Sequence, residues 1–545
     1  MNKMRIVRVA LAVALFAPAA FSGCKALSGD QYAEIQVPAE KLRDVSTLDL
    51  AAMSKPAEAP APSSPSAFAS TEVSLTIEDC RTAALRNNLD LKVTLINPTI
   101  SGETVRQEEA RFEPYFSAGA ALSKTDTPSI TDLDNEQGSV LETDLGVSFP
   151  LRTGGTLTFS SPLTRFKASA GGFESEPVYD ADAGFSISQP LLRGAGVRAN
   201  TYGIRIARYD EQAAEARTKL EVIRVIAAVD RVYWRLYAAR KELEVRNNEL
   251  ALAQAQLDRA RRKVAAGTAS EVETIRAETG VAERLEAIII AETNVRQRER
   301  ELKRSLNEAG LAMEAPTAIV PATEPHPTRH DLDTARLVKA AVDSRMEMLE
   351  LELQIARDAS TVDFQRNQAL PLLALDYTYN VSGIGGTPDD AYDLLLDKRF
   401  EDHSLGLELL VPLGNKAAAS RVRQAIFSRA QRLATKEARR SQITQEVLDA
   451  VDQIEANWQR VLANRQRTLL AARNLDAETR QFELGLRTST DVLEAQARLA
   501  DAQSAEINSL AEYQIAEVDL AFATGNVLGA AKVEWQPAVP KLVGK

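Results

Sequence analysis

Gly485-Leu486-Arg487-Thr488-Ser489-Thr490-Asp491-Val492-Leu493-Glu494-Ala495 interrupts a helical pattern that otherwise runs from about residue 417 to about 522. Glycine enters the left-handed cap conformation without steric cost, so Gly485 reads as a helix stop. Thr488 and Ser489 read as N-caps of the helix that follows. Two very long helices therefore meet in a tight turn. The same turn occurs earlier as Gly267-Thr268-Ala269-Ser270-Glu271-Val272-Glu273, and Ala277 matches Ala495 without a gap.

Outward from these turns the whole chain is doubled. Pro190 and Pro412 are 222 residues apart, and so are Ala228-Val229-Asp230 and Ala450-Val451-Asp452. Gly267 and Gly485 are 218 apart, a difference of four residues or about one helical turn. The first long helix, from Pro190 to Gly267, would extend about 115 Å, which demands partners along its length. Val447, Val451, Ile454, Trp458 and Val461 are spaced four, three, four, three. That is the seam of a coiled coil.

Between the helices lie strands. Leu145, Val147 and Phe149 alternate with Gly146 and Ser148, and Leu157 and Phe159 with Thr158 and Ser160. Phe185 and Ile187 alternate with Ser186 and Ser188, and Leu373, Leu375, Tyr377 and Tyr379 with Ala374, Asp376 and Thr378. Leu405, Leu407, Leu409 and Val411 form a return strand. Alternation with small polar partners suits a sheet with one apolar face, and in a membrane barrel that face meets lipid. Loops are expected at about 125–142 and 163–181, with a further acidic loop carrying Asp389, Asp390 and Asp393. Pro114 to Pro190 spans 76 residues and Pro371 to Pro412 only 41, so the first copy carries 35 more. That is room for two strands, with Pro150-Leu151-Arg152-Thr153-Gly154-Gly155 as the turn between them.

The remaining segments follow from composition. Of 545 residues, 1–23 read as a signal peptide: Lys3, Arg5 and Arg8, then an apolar run of 13 residues from Val9 to Phe21. Phe21-Ser22-Gly23-Cys24 resembles a bacterial lipoprotein box, which makes Cys24 the lipidation site. Residues 24–70 are a Pro/Ala/Ser-rich tether. Residues 71–315 form repeat 1, with strands at about 115–190 and its tip at 267. A linker follows at 316–330, then repeat 2 at 331–530, with strands at about 372–412 and its tip at 485. Residues 531–545 are a tail. Ser74 or Thr76 caps the first helix, which breaks near Asn97-Pro98, and a helix runs from about Leu332 to Arg366. His326 and His330 sit in a proline-rich loop with no further ligand, so no metal is expected, and no cofactor either. Cys80 reads as a packed apolar residue. A net charge of −11 argues against a nucleic-acid partner. No nucleotide loop, triad or metal cluster points to an enzyme.

Ser74-Leu75-Thr76-Ile77-Glu78-Asp79, Ala110-Arg111-Phe112-Glu113-Pro114, Gln189-Pro190-Leu191, Val411-Pro412-Leu413, both glycine tips and Ala523-Thr524-Gly525 occur in order. In this the chain resembles the TolC-type outer-membrane channel family, in its lipoprotein branch, over about residues 74–526. The resemblance implies an α+β membrane protein: a trimeric transmembrane β-barrel continued by a long α-helical coiled-coil barrel, built from two internal repeats. It implies a homotrimer in the outer membrane of a Gram-negative-type bacterium, lipid-anchored, whose helices tunnel through the periplasm. The tips, Gly267, Thr268, Ala269 and Ser270 with Gly485, Leu486, Thr488 and Ser489, would dock on a periplasmic adaptor linked to an inner-membrane pump. Arg487, Asp491 and Glu494 stand at the family's constriction. Phe482 stands where a tyrosine usually sits and lacks its hydroxyl. Glu273 and Arg276 occupy the equivalent places of the first tip. The family contributes four strands per chain, so the insertion predicts six and an 18-stranded trimer, or an extra hairpin outside the barrel. The expected function is a passive exit duct for efflux. The alternatives are a duct for type I protein secretion and a coiled-coil structural lipoprotein.

Overall fold

The computed structural model describes residues 72–127, 136–170 and 173–533. Cys24, the tether, Asp132, Asp134 and the tail beyond 533 lie outside them. Glu72–Leu75 forms strand β1. Helices α1 (Ile77–Asn87), α2 (Leu89–Thr94) and α3 (Asn97–Ala110) follow. The strand region holds β2 (Tyr115–Thr127), β3 (Glu136–Pro150), β4 (Thr156–Ser160), β5 (Leu163–Ala170), β6 (Phe173–Glu174) and β7 (Val178–Pro190). Short α4 (Val197–Asn200) leads into α5 (Tyr202–Ala265), which turns back as α6 (Glu271–Leu306). The second copy comprises β8 (Ala318–Pro321), α7 (Thr334–Ser344), α8 (Met346–Gln368), β9 (Leu372–Gly385), α9 (Pro388–Leu396) and β10 (Glu401–Leu410). It ends with α10 (Lys416–Glu483), α11 (Ser489–Ala523) and α12 (Val527–Ala530).

Several expectations need correction. The chain at Ser74 is strand, not a helix start: β1 pairs in parallel with β8 inside the expected linker. Thr76 alone caps α1, in a reciprocal capping box with Asp79. The expected loop at 163–181 is largely strand, holding β5, β6 and the start of β7, with each edge of β5 on a ladder, one on β3 and one on β7. The expected loop at 125–142 likewise includes the start of β3 from Glu136. The acidic loop is helix α9, begun by Thr387, whose hydroxyl accepts from the Asp390 amide. The helix expected over 332–366 is two helices, broken at Arg345 with ψ of 133°. There the buried guanidinium pairs with Glu347 at 2.6 Å and with Glu446. Asn88, with ψ of 127°, breaks α1 from α2 and accepts from the Leu91 amide. Both breaks lie 26 residues before the matching prolines, Pro114 and Pro371, so the kink is itself a repeated feature.

All the long strands form one antiparallel sheet in the order β10-β9-β7-β4/β5-β3-β2. Strands β4 and β5 are one strand interrupted at Ser161-Pro162, where proline has no amide to donate. Both halves pair with β3 on one side and β7 on the other. The sheet therefore has six long strands, four from the first copy and two from the second. One row across it reads Ser148, Thr158, Ser186, Thr378, Ser404. The neighbouring row, on the opposite face, reads Phe116, Val147, Phe159, Phe185, Tyr379, His403. Rings Phe159–Phe185 and Phe185–Tyr379 lie 6.0 and 5.7 Å apart along that row. Helix α9 covers the apolar face near β9 through Ala391 and Leu395, against Ala181 and Val381. The approach is close enough that a Cβ at Gly383 would sit 2.1 Å from the Ala391 carbonyl oxygen.

The main core lies where α1, the middle of α5, the end of α6 and α11 meet. It contains Cys80, Ile226, Val229, Tyr233, Leu302, Ile319 and Ile515. The Tyr233 hydroxyl donates to the Leu75 carbonyl at 3.1 Å and accepts from the Thr323 amide at 2.8 Å, tying this core to β1 and the segment after β8. Burial pushes the Cys80 thiol up to about 12, so almost no thiolate exists at neutral pH. Iodoacetamide at pH 8 is expected to leave Cys80 unmodified in the folded protein and to alkylate it in urea. Rapid native alkylation, read by mass spectrometry, would contradict this packing.

Candidate functional site at the helical tips

At both tips the backbone closes in the same way. Gly485, at φ of 76°, donates to the Phe482 carbonyl, and Leu486 donates to that of Gln481. Gly267, at φ of 67°, donates to Val264, and Thr268 to Lys263. This is the Schellman arrangement, which satisfies the last carbonyls of each helix. A Cβ at Gly485 would meet nothing within 4 Å, so the cost of a side chain there is torsional. Gly485→Ala is expected to weaken the turn by about 1–2 kcal/mol. The readout is faster hydrogen exchange at the amides of residues 485 and 486, with α5 unaffected.

The two tips differ in where the carboxylate of the first helical turn goes. In the second, Asp491 closes a capping box: its Oδ2 accepts from the Thr488 amide at 2.8 Å and hydroxyl at 2.9 Å. These bonds hold the Asp491 carboxyl below the usual carboxylate range, so it is charged at neutral pH. In the first, Ser270 caps through its own hydroxyl. Glu273 instead reaches across to the other tip, where its Oε2 accepts from the Ser489 amide at 2.9 Å. Its Oε1 pairs with Arg276 at 2.8 Å. Glu273 thus supplies an acceptor to an orphan amide of the neighbouring helix start.

Other contacts fasten the hairpins together. Lys263 Nζ donates to the Phe482 carbonyl at 2.6 Å and lies 3.9 Å from the Phe482 ring centroid. Phe482 is buried, and this cation–π contact, made over the ring face, needs no hydroxyl. Gln256 Nε2 donates to the buried Ser489 Oγ at 3.3 Å. Gly280 gives room to Leu493, whose carbonyl accepts from Arg284 at 3.3 Å. Arg487 Nε donates to Gln481 Oε1 at 3.0 Å and lies 3.2 Å from Glu478. Glu494 is exposed and pairs with Arg498 at 3.2 Å. Asp491 and Glu494 share one helix face, as their spacing requires. Thr268, Leu484 and Leu486 are exposed at the tips, with Leu486 72% exposed, while Ala269 is half-buried. No sequence signal pointed to Lys263, Gln256 or Arg284, because each acts on a helix more than 200 residues away.

Among the described residues no group of three or more His, Cys, Asp or Glu could hold a metal ion. His330 Nε2 lies 2.9 Å from Glu517. Among the described residues no helix is long and apolar enough to cross a membrane.

A six-stranded amphipathic sheet joined to two long helical hairpins, in two repeats, defines an α+β channel subunit. The profile of the family described as outer membrane efflux protein matches residues 156–308 and 337–526, one segment per repeat. The chain belongs to this family, whose members are outer-membrane channels rather than enzymes. It is similar to the outer membrane protein TolC of Vibrio cholerae serotype O1, with 24% identity over 351 residues, 63% of this chain and 76% of that protein. Its fold resembles the Campylobacter jejuni CmeC outer membrane channel, with a TM-score of 0.62 and 15% identity, covering 83% of this chain and 85% of that one. It also resembles the open state of the Neisseria gonorrhoeae MtrE outer membrane channel, with a TM-score of 0.59 and 14% identity, covering 83% and 89%.

Proposed function

We propose that this chain forms a homotrimeric exit duct of a tripartite efflux system, anchored at the outer membrane by lipidated Cys24. The observation that carries the reading is the sheet. Its small polar face suits a water-filled lumen, its apolar face suits lipid, and its strands run directly into helices about 95–100 Å long. A scaffold lipoprotein has no use for such a face. Arg487, Asp491, Glu494 and Phe482 form the constriction. Gly267 to Ser270, with Gly485, Leu486, Thr488 and Ser489, dock on a periplasmic adaptor bound to an inner-membrane pump. The exposed Leu484 and Leu486 support the docking reading, since a partner would bury them.

The test is extraction of the membrane protein and electrophoresis without boiling, followed by reconstitution in a planar bilayer. A trimer band that boiling collapses, together with discrete conducting steps, is the expected result. A monomer that forms no channels would overturn the reading. Metabolic labelling with palmitate, lost in Cys24→Ala, tests the anchor.

A further inference from the structure

The geometry points to a barrel of eighteen strands, closed by pairing β10 of one copy with β2 of the next. The inference rests on the trimeric duct proposed above and fixes its wall.

The inserted residues are built into the sheet. Strand β3 and the broken strand β4/β5 lie between β2 and β7, so the outer strand reaches the rest of the sheet only through them. Their connecting turn is fastened at the sheet–helix junction. Leu151 donates to the Gly155 carbonyl at 2.7 Å, and the Thr153 carbonyl accepts from the Gly196 amide at 2.9 Å. Thr153 Oγ1 donates to Gln189 at 2.8 Å. The Arg152 guanidinium sits 5.9 Å from the Phe112 ring centroid. A hairpin folded outside the wall would lack the contacts of Thr153 with Gly196 and Gln189 and of Arg152 with Phe112, and β2 would then have to pair with β7.

The two edges of the sheet ask for the same occupant. Among the described residues β2 pairs only with β3, and β10 only with β9. Each leaves a row of backbone donors and acceptors open, and both carry exposed apolar side chains: Phe116 and Leu122 on one, Leu405, Leu407 and Leu409 on the other. Six antiparallel strands put β2 and β10 in opposite directions, so a second copy continues the antiparallel ladder unbroken. The apolar rows continue from copy to copy. With strands ~4.8 Å apart and tilted by ~40°, eighteen close at a backbone diameter of about 36 Å, against about 24 Å for twelve. The facing row of Ser148, Thr158, Ser186, Thr378 and Ser404 adds little side-chain bulk to that lumen.

Lumen-facing positions of the seam are Ser404 on β10 and Ser117, Gly119, Ala121 and Ser123 on β2. Four double variants each combine Ser404→Cys with one of Ser117→Cys, Gly119→Cys, Ala121→Cys or Ser123→Cys. Oxidation of the full-length protein in membranes is expected to give a covalent trimer on boiled, non-reducing gels for at least one pair. Electron cryo-microscopy of the extracted protein is expected to show eighteen wall strands. Unboiled trimers that cross-link at none of the four pairs, or a twelve-stranded wall, would overturn the inference and leave the duct intact. Absence of any trimer would remove both.

Discussion

Arg81→Met is expected to destabilise the protein by about 3–5 kcal/mol at neutral pH, the cost of leaving a buried charge without its partner. Arg81 Nε and Nη2 donate to the two Asp230 oxygens at 2.8 and 2.9 Å, a bidentate pair whose carboxylate is 3% exposed. Burial raises the Asp230 carboxyl above its usual range, and the Arg81 hydrogen bonds oppose that rise. Without Arg81 the opposition is gone. An acid whose folded pKa is raised binds its proton more tightly folded than unfolded, so the protein is penalised as pH rises through that range and relieved as it falls. The deficit of the variant should therefore shrink from pH 8 towards pH 5. Replacing both partners, Arg81→Met with Asp230→Leu, removes the charge altogether and should recover most of the loss. Urea midpoints followed by helical circular dichroism measure all three. An unchanged midpoint in the single variant would show that the pair contributes nothing.

Neutralising the tip carboxylates should change the pore more than any other substitution of comparable size. Asp491→Asn with Glu494→Gln is expected to raise the divalent-cation concentration for half-block by roughly tenfold or more in a planar bilayer, since a carboxylate ring concentrates cations at a narrow mouth. Asp491 also closes the capping box, so Glu494→Gln alone is the cleaner variant and should give part of the effect with the turn intact. Arg498 lies 3.2 Å from Glu494 and offsets its charge, so Arg498→Gln should act in the opposite direction and strengthen the block. Block that is indifferent to all three variants would take these residues out of the constriction.

The helices and their turns were legible because glycine at positive φ, hydroxyl caps and seam spacing are local signals. Five of the six strands were legible because period two shows in part of each; β2 reads only as an extended segment after Pro114, and the β5 half of the broken strand reads as a loop. The breaks at Asn88 and Arg345 were not. Each depends on a side chain finding a distant partner: Asn88 donates to the Ser305 carbonyl and Arg345 pairs with Glu446. Strands β1 and β8 escaped for a similar reason, since four residues carry no usable period and their pairing partner is 246 positions away. At the tips, sequence placed Asp491 and Glu494 on one face. It gave no hint that Glu273 would leave its own helix start for the Ser489 amide.

The inserted hairpin also bears on how such a protein can change over generations. Strands β2 and β9 each follow a helix and β7 and β10 each lead into one, whereas β3 and β4/β5 are joined to each other by a turn of five residues. A gain or loss of that pair leaves every strand direction and every helix connection as it was. The girth of the wall can then vary by whole hairpins while the periplasmic machinery is inherited unchanged.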